Sequence, residues 1–262
     1  MTCRNNDIVG TGSSAPFNPI NNYTVRLFGP SIYYPNVSSS SLGQRIGLIG
    51  GWNDSPNHNL GRFIAELAAG AAEFVNMQVA LIYRADRFLR GGDHLSFIEQ
   101  GFPAVRFTEA VEDFLHQHQN VRDADGVQYG DLLEYVDVEY TARVARTNLA
   151  SMWSAANAPA LPRNVTISTD VGFPASDQQT PLELVGQESQ FCWTMGNDPL
   201  AAGYELVWRT SANQQWTNAL DVGDVGSVTT DLLKDNVQVG IRAVGADGKK
   251  SPAVFPLPGS CE

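Results

Sequence analysis

The chain reads as a layered α/β half, a mixed sheet covered by helices, followed by an all-β sandwich. Three observations predict this. A 3.6-residue apolar spacing alternates with short β-branched runs before residue 157, a small-residue, proline-bearing stretch follows at 158–162, and short strands then recur at roughly ten-residue intervals.

Each element has a local cause. Asp7-Ile8-Val9-Gly10 reads as the end of a strand beginning before residue 1, which predicts a domain that has lost an upstream part. Ser55 offers a helix cap and Pro56 a first-turn proline, after which Leu60, Phe63, Ile64, Leu67, Ala68, Ala71 and Phe74 keep helical spacing. Residues 78–83 and 103–107 read as short strands with β-branched or aromatic side chains. Residues 135–153 are again helical, with Val136, Tyr140, Val144, Asn148 and Trp153 near one face. Beyond the linker, strands are expected at 164–169, 182–184, 191–194, 204–209, 228–230 and 237–244, divided by turn clusters such as Gly196-Asn197-Asp198-Pro199 and Asp247-Gly248. The expected division is an α/β domain at 1–157, a linker at 158–162 and a sandwich at 163–262.

Composition narrows the function. Of 262 residues, 43% are hydrophobic and 17% charged, as in soluble globular proteins. A net charge of −11 and a pI near 4.7 weigh against nucleic acid and anionic membranes as partners, since both repel an acidic surface. The apolar run at 63–75 is broken by Glu66, Gly70 and Glu73, well short of the roughly 20 residues a membrane span needs. The first residues lack a basic head followed by an apolar core, so no signal peptide is read there. Cys3, Cys192 and Cys261 are too scattered for a zinc knot, while Cys192 and Cys261 could pair in an oxidising compartment. Asn22-Tyr23-Thr24, Asn36-Val37-Ser38 and Asn164-Val165-Thr166 match the N-glycosylation tripeptide.

The chain has four histidines, at 58, 94, 116 and 118, three of them in polar stretches: Asp93-His94 and His116-Gln117-His118-Gln119-Asn120. Histidine is the commonest metal ligand and the natural proton carrier near neutral pH, so chemistry is sought there first. His58, in a helix-entry loop, is expected at the surface.

The first half resembles the co-catalytic zinc aminopeptidases, which include bacterial leucine aminopeptidases and the glutamate carboxypeptidase group. The likeness is carried, in order, by Asn6-Asp7-Ile8-Val9-Gly10, Asn53-Asp54-Ser55-Pro56, Tyr83-Arg84-Ala85-Asp86-Arg87, Gly91-Gly92-Asp93-His94, the 101–109 segment ending in Thr108-Glu109, His116-Gln117-His118-Gln119-Asn120, Val127-Gln128-Tyr129-Gly130-Asp131 and the 138–146 helix. The second half resembles a fibronectin type III domain, through Trp193, the 203–209 strand with Tyr204 and Trp208, Asp235-Asn236 and the 239–244 strand. In such a sandwich Trp193 and Tyr204 are core packing.

The first resemblance implies an exopeptidase, an aminopeptidase acting on peptide substrates through two zinc ions, in a secreted or periplasmic setting. Carried over position by position, it makes Asp7 a terminal zinc ligand and His116 another, with His118 as the alternative. It places Asp93 and His94 beside the substrate pocket or in support of the ligands. The family's His, acid spacing is met by His116 and Asn120, with Asn in place of the acid. The family's further histidine, bridging aspartate and Glu-Glu pair would lie upstream of Asp7, and no Glu-Glu pair occurs in the chain, so no general base is identifiable.

Two function classes follow. The first is a zinc-dependent aminopeptidase of which this chain is the C-terminal part, with no expected turnover by itself. The second is a non-catalytic binding protein derived from a peptidase. A sheet missing its first strands also predicts self-association through an open edge.

Overall fold

The computed structural model describes residues 2–11, 21–31, 41–168 and 188–261. Four strands, β1 (Cys3–Asn6), β2 (Thr24–Phe28), β3 (Gln78–Ile82) and β4 (Ala104–Glu109), form a sheet in the order β1-β4-β2-β3. β1 runs parallel to β4 and β3 parallel to β2, while β2 and β4 are antiparallel, so the sheet is mixed as expected. The strand preceding Asp7 starts at Cys3 rather than before residue 1. Its polar Arg4, Asn5 and Asn6 give no apolar alternation from which that start could be read.

The helices are α1 (Ser41–Leu48), α2 (Pro56–Gly70), α3 (Ala72–Val75), α4 (His94–Glu99) and α5 (Val138–Asn157). In α2 the Ser55 side chain accepts from the His58 amide, and Pro56 opens the first turn. α5 begins at Val138 rather than at 135, because the Asp137 carboxylate caps the Tyr140 amide there at 2.8 Å. Leu60, Phe63, Ile64 and Ala68 of α2 and Tyr140 and Val144 of α5 pack on Val25, Leu27, Leu81, Val105 and Phe107 of the sheet. Each fully buried aliphatic or aromatic side chain of this kind contributes about 1.5–3 kcal/mol. α4 lies against β1 and β4.

β4 is buried along its whole length. Since neighbouring strand residues face opposite sides, Val105 and Phe107 join the apolar core, whereas Arg106 and Thr108 share the other face. That alternation sets up the site described below. A small hairpin follows, β5 (Arg122–Ala124) with β6 (Val127–Tyr129), turned by Asp125-Gly126 at φ 52° and 76°, the pairing that a type I′ turn demands.

After α5 the chain builds β7 (Arg163–Ser168), β8 (Ser189–Thr194), β9 (Ala201–Arg209), β10 (Asn218–Gly223), β11 (Ser227–Thr230), β12 (Gln238–Gly245) and β13 (Leu257–Gly259). They form two sheets, β10-β9-β12 and β11-β8-β7-β13. The core between them holds Val165, Ile167, Phe191, Trp193, Tyr204, Leu206, Val239 and Ile241. Trp193 and Tyr204 are buried with ring centroids 5.4 Å apart, as the sandwich reading requires. β10 was not foreseen, because its mostly exposed residues carry no apolar alternation. The strand expected at 182–184 and the tripeptide at Asn36 lie outside the described residues. Cys192 and Cys261 are joined in a disulfide, and Cys3 is free.

A buried charge cluster ties the two halves. Asp54 accepts both oxygens' worth of contact from Arg209, at 2.9 and 3.0 Å, and from Arg62 at 2.9 Å. Arg62 also reaches the carbonyl of Gln214, and the Trp216 ring sits 5.3 and 5.4 Å from the Arg62 and Arg209 guanidinium carbons. A second link joins Arg242 of β12 to Glu66 of α2 at 2.9 Å. His58, expected at the surface, is 1% exposed. It stacks on Tyr83 at 4.0 Å and places Nδ1 3.0 Å from the Asn53 carbonyl, and burial pushes its pKa down to about 4.

Candidate functional site

Asp7 follows the last residue of β1, where the backbone turns abruptly: Ile8 has φ 59°. A β-branched residue in that region costs about 1–3 kcal/mol, so the surroundings must hold it there. They do so through backbone bonds, from the Asp7 amide to the Phe107 carbonyl at 3.2 Å and from the Glu109 amide to the Ile8 carbonyl at 2.9 Å. The Thr108 hydroxyl donates to the Asp7 carbonyl at 2.8 Å. Gly10 in turn accepts from the Asp137 amide at 2.8 Å, fixing the segment to the start of α5.

The Asp7 carboxylate is held from beneath. Arg106, with no solvent exposure, donates Nη2 to Asp7 Oδ2 at 2.7 Å and Nη1 to the Gly91 carbonyl at 2.6 Å. It also pairs with the fully buried carboxylate of Asp86. His94 is buried and places Nε2 2.6 Å from the Ala85 carbonyl, one residue before Asp86. Burial pulls the His94 pKa down, which favours the neutral ring. Gly92 permits this packing, since a Cβ there would stand 2.9 Å from Arg106 Nη1 and 3.2 Å from His94 Nδ1. Asp93 stands at the N-cap of α4 without a side-chain cap bond. Neither Asp93 nor His94 lines the cavity above Asp7.

That cavity, about 450 Å³, is lined by Asp7, Gly10, Thr11, Glu109, Asp113, His116, Gln117, His118, Asp131, Tyr135 and Thr141 among others. Asp7 and His116, more than a hundred positions apart, therefore face one space. His116 Nδ1 meets Asp113 Oδ2 at 2.6 Å, and its ring stacks on Tyr135 with centroids 3.5 Å apart. Its Nε2 is buried and has no hydrogen-bond partner among the described residues. His118 is exposed, at φ 55°, on the rim, and Asn120 is exposed.

Two carboxylates of this region differ in their surroundings: Glu109 lines the cavity, and Glu112 does not. Glu109 Oε2 accepts from the amides of Gly10 at 3.0 Å and Thr11 at 2.7 Å, and burial pushes its carboxyl pKa up to about 7 despite those two donors. Glu112 takes charged donors from Arg26 at 2.5 Å and Arg87 at 2.6 Å. Burial would raise its pKa, but the bonds from Arg26, Gln117 and Arg87 outweigh it and hold the carboxyl below its usual range.

Sequence reasoning assigned no role to Arg106, Glu109 or Asp113. Signals existed for two of them. Arg106 is a charge inside the apolar Ala104-Val105-Arg106-Phe107 strand, and Asp113 stands three residues before His116.

The cavity's donor set suits a borderline metal such as zinc in kind: an imidazole nitrogen oriented by a carboxylate and an aspartate fixed by a guanidinium. It falls short in number. Among the described residues no group of three or more His, Cys, Asp or Glu is placed to hold a metal ion, whereas a catalytic zinc takes three protein ligands.

No family model matches the chain. It is homologous to fungal proteins described as "Probable zinc metalloprotease": 49% identical over 97% of this chain and 50% of the relative from Pyrenophora tritici-repentis. A Leptosphaeria maculans relative is 48% identical over 97% of this chain and 55% of its own length. One from Pyricularia oryzae is 48% identical over 97% and 48%. The chain thus spans about half the length of the curated relatives it matches, and through that half it is related to these probable zinc metalloproteases. A solved Fn3-like protein from Clostridium thermocellum is similar over 40% of this chain and 96% of its own, at 15% identity and TM-score 0.29.

Proposed function

We propose that the chain is part of a zinc-dependent exopeptidase, an aminopeptidase, to which it contributes Asp7 and His116 as metal ligands. The observation that carries this is the His116 ring: Nδ1 is engaged by Asp113, and Nε2 is left without a partner in the cavity that Asp7 also lines. Of the two candidate histidines, half-buried and oriented His116 is preferred to exposed His118.

Zinc, when bound, polarises a peptide carbonyl and lowers the pKa of a coordinated water. The chain's own residues prepare for it. Asp113 fixes the His116 tautomer and ring plane, Arg106 fixes the Asp7 carboxylate, and His94, through the Ala85 carbonyl, steadies the Asp86 carboxylate that completes the Arg106 cage. Asp93 and His94 thus act as support rather than as pocket wall. The remaining ligands and the general base belong to the half of the relatives' length that this chain does not span. Peptides are the substrate class. The division at 1–157, 158–162 and 163–262 and self-association through the β1 edge belong to the same reading.

The test is zinc content by elemental analysis, with turnover of a leucine chromogenic amide on the same sample, for this chain and for a protein of the relatives' full length. The reading expects substoichiometric zinc and no turnover for the chain, and chelator-sensitive turnover for the longer protein. No turnover and no zinc in the longer protein would sink it.

A second reading, a non-catalytic binding protein derived from a peptidase, is favoured by one observation, the lack of a three-ligand group among the described residues. It expects a stable fold in the longer protein with neither metal nor hydrolysis.

A further inference from the structure

We propose that Asn164 is an N-glycan acceptor and that the sandwich half matures in a compartment that both oxidises thiols and transfers glycans. Asn164-Val165-Thr166 is an acceptor tripeptide, and in the fold it opens β7 where the ladder to β8 shifts register between Arg163 and Thr166. Asn164 is exposed at φ 50°, a left-handed conformation that asparagine tolerates better than most residues. Its Nδ2 donates one bond, to Thr194 Oγ1 at 3.1 Å. Attaching a sugar replaces one of the two amide hydrogens and leaves the other for Thr194, so the folded sandwich accommodates the product.

The compartment is read from the same strand pair. Thr166, the third residue of the tripeptide, is the register partner of Cys192, whose disulfide to Cys261 needs an oxidising environment. One short region therefore carries both marks of that setting.

Asn22, the other described tripeptide, is placed differently. It is half-buried, donates Nδ2 towards Asp137 Oδ2 at 3.4 Å, and its carbonyl accepts from Arg143 Nη2 at 2.7 Å. A glycan there would press on the start of α5, and Asn164 is the favoured acceptor. The donor is a lipid-linked oligosaccharide diphosphate. The bond from Asn164 Nδ2 to the sugar anomeric carbon forms, the bond from that carbon to the diphosphate oxygen breaks, and the amide proton leaves.

The experiment is expression of the 262-residue chain behind a cleavable leader in a eukaryotic secretory host. Intact mass is measured before and after peptide N-glycosidase, with peptide mapping of molecules in which the Cys192 and Cys261 peptides are disulfide-linked. The expected result is a glycan on the Asn164 peptide, absent from Asn164→Gln and Thr166→Ala and retained in Thr166→Ser, which keeps the acceptor motif and controls for folding. An unmodified Asn164 in disulfide-linked molecules, or modification confined to Asn22, would overturn the proposal.

Discussion

Arg106, which has no exposure to solvent, holds the half-exposed Asp7 carboxylate at 2.7 Å across the β1–β4 pair. One guanidinium thus joins a cavity-facing acid to a buried one, Asp86, and to the 91–94 turn. The relationship explains why a polar strand end and a charge inside an apolar strand occur together in this sequence.

Removing that guanidinium should therefore be costly. Arg106→Met leaves the buried Asp86 carboxylate with Arg87 on Oδ1 alone and strips Oδ2 of its charged donor, which costs up to about 3–5 kcal/mol. Arg106→Lys keeps a charge but loses the fork that spans both acids, and should fall between. Urea denaturation of the three proteins checks the order.

Asp113 and His118 should separate in zinc affinity. Asp113→Asn removes the carboxylate that orients His116, a change that lowers metal affinity by about 10–100-fold at comparable sites. His118→Ala, at the exposed rim, should leave affinity unchanged. Calorimetric titration with zinc at fixed pH distinguishes them, and equal losses in the two variants would contradict the assignment.

Glu109 sets a pH dependence of stability. Its folded pKa of about 7 lies above the ordinary carboxylate value of 4.5, so the native state binds its proton more tightly than the unfolded chain does. Its stabilising contribution is then fully present below pH about 4.5 and is lost as pH rises through about 7, a change of about 3 kcal/mol. Glu109→Gln, which can still accept from the Gly10 and Thr11 amides, should flatten the stability profile between pH 5 and 8, as read by denaturant midpoints.

The junction between the halves rests on Asp54. Asp54→Asn leaves Arg62 and Arg209 facing each other around Trp216 without their shared counter-charge, and should destabilise the protein by about 3 kcal/mol or more. The loss should fall on the junction, so that hydrogen exchange accelerates near 53–62 and 209–216 before it does in the sandwich core.

Much of this architecture was legible in the sequence because it rests on local signals. Ser55-Pro56 and the spacing through Ala71 mark α2, and the alternation in 204–209 and 237–244 marks β9 and β12. What escaped depends on distant partners. His58 sits in a polar Asn57-His58-Asn59 context that reads as surface, yet Tyr83 and the Asp54 cluster bury it. The exposed β10 edge has no apolar pattern to read. In the site, Asp7 and His116 were named through resemblance, while Arg106, Glu109 and Asp113 act through contacts that only the folded chain brings together.

The most direct test of the central claim is zinc titration of the purified chain beside its His116→Ala variant. The account predicts measurable zinc binding in the parent, weaker than at a three-ligand site, that is lost in the variant while its denaturation midpoint stays close to the parent's. Equal zinc binding by the two proteins would show that His116 Nε2 is no ligand and would contradict the account.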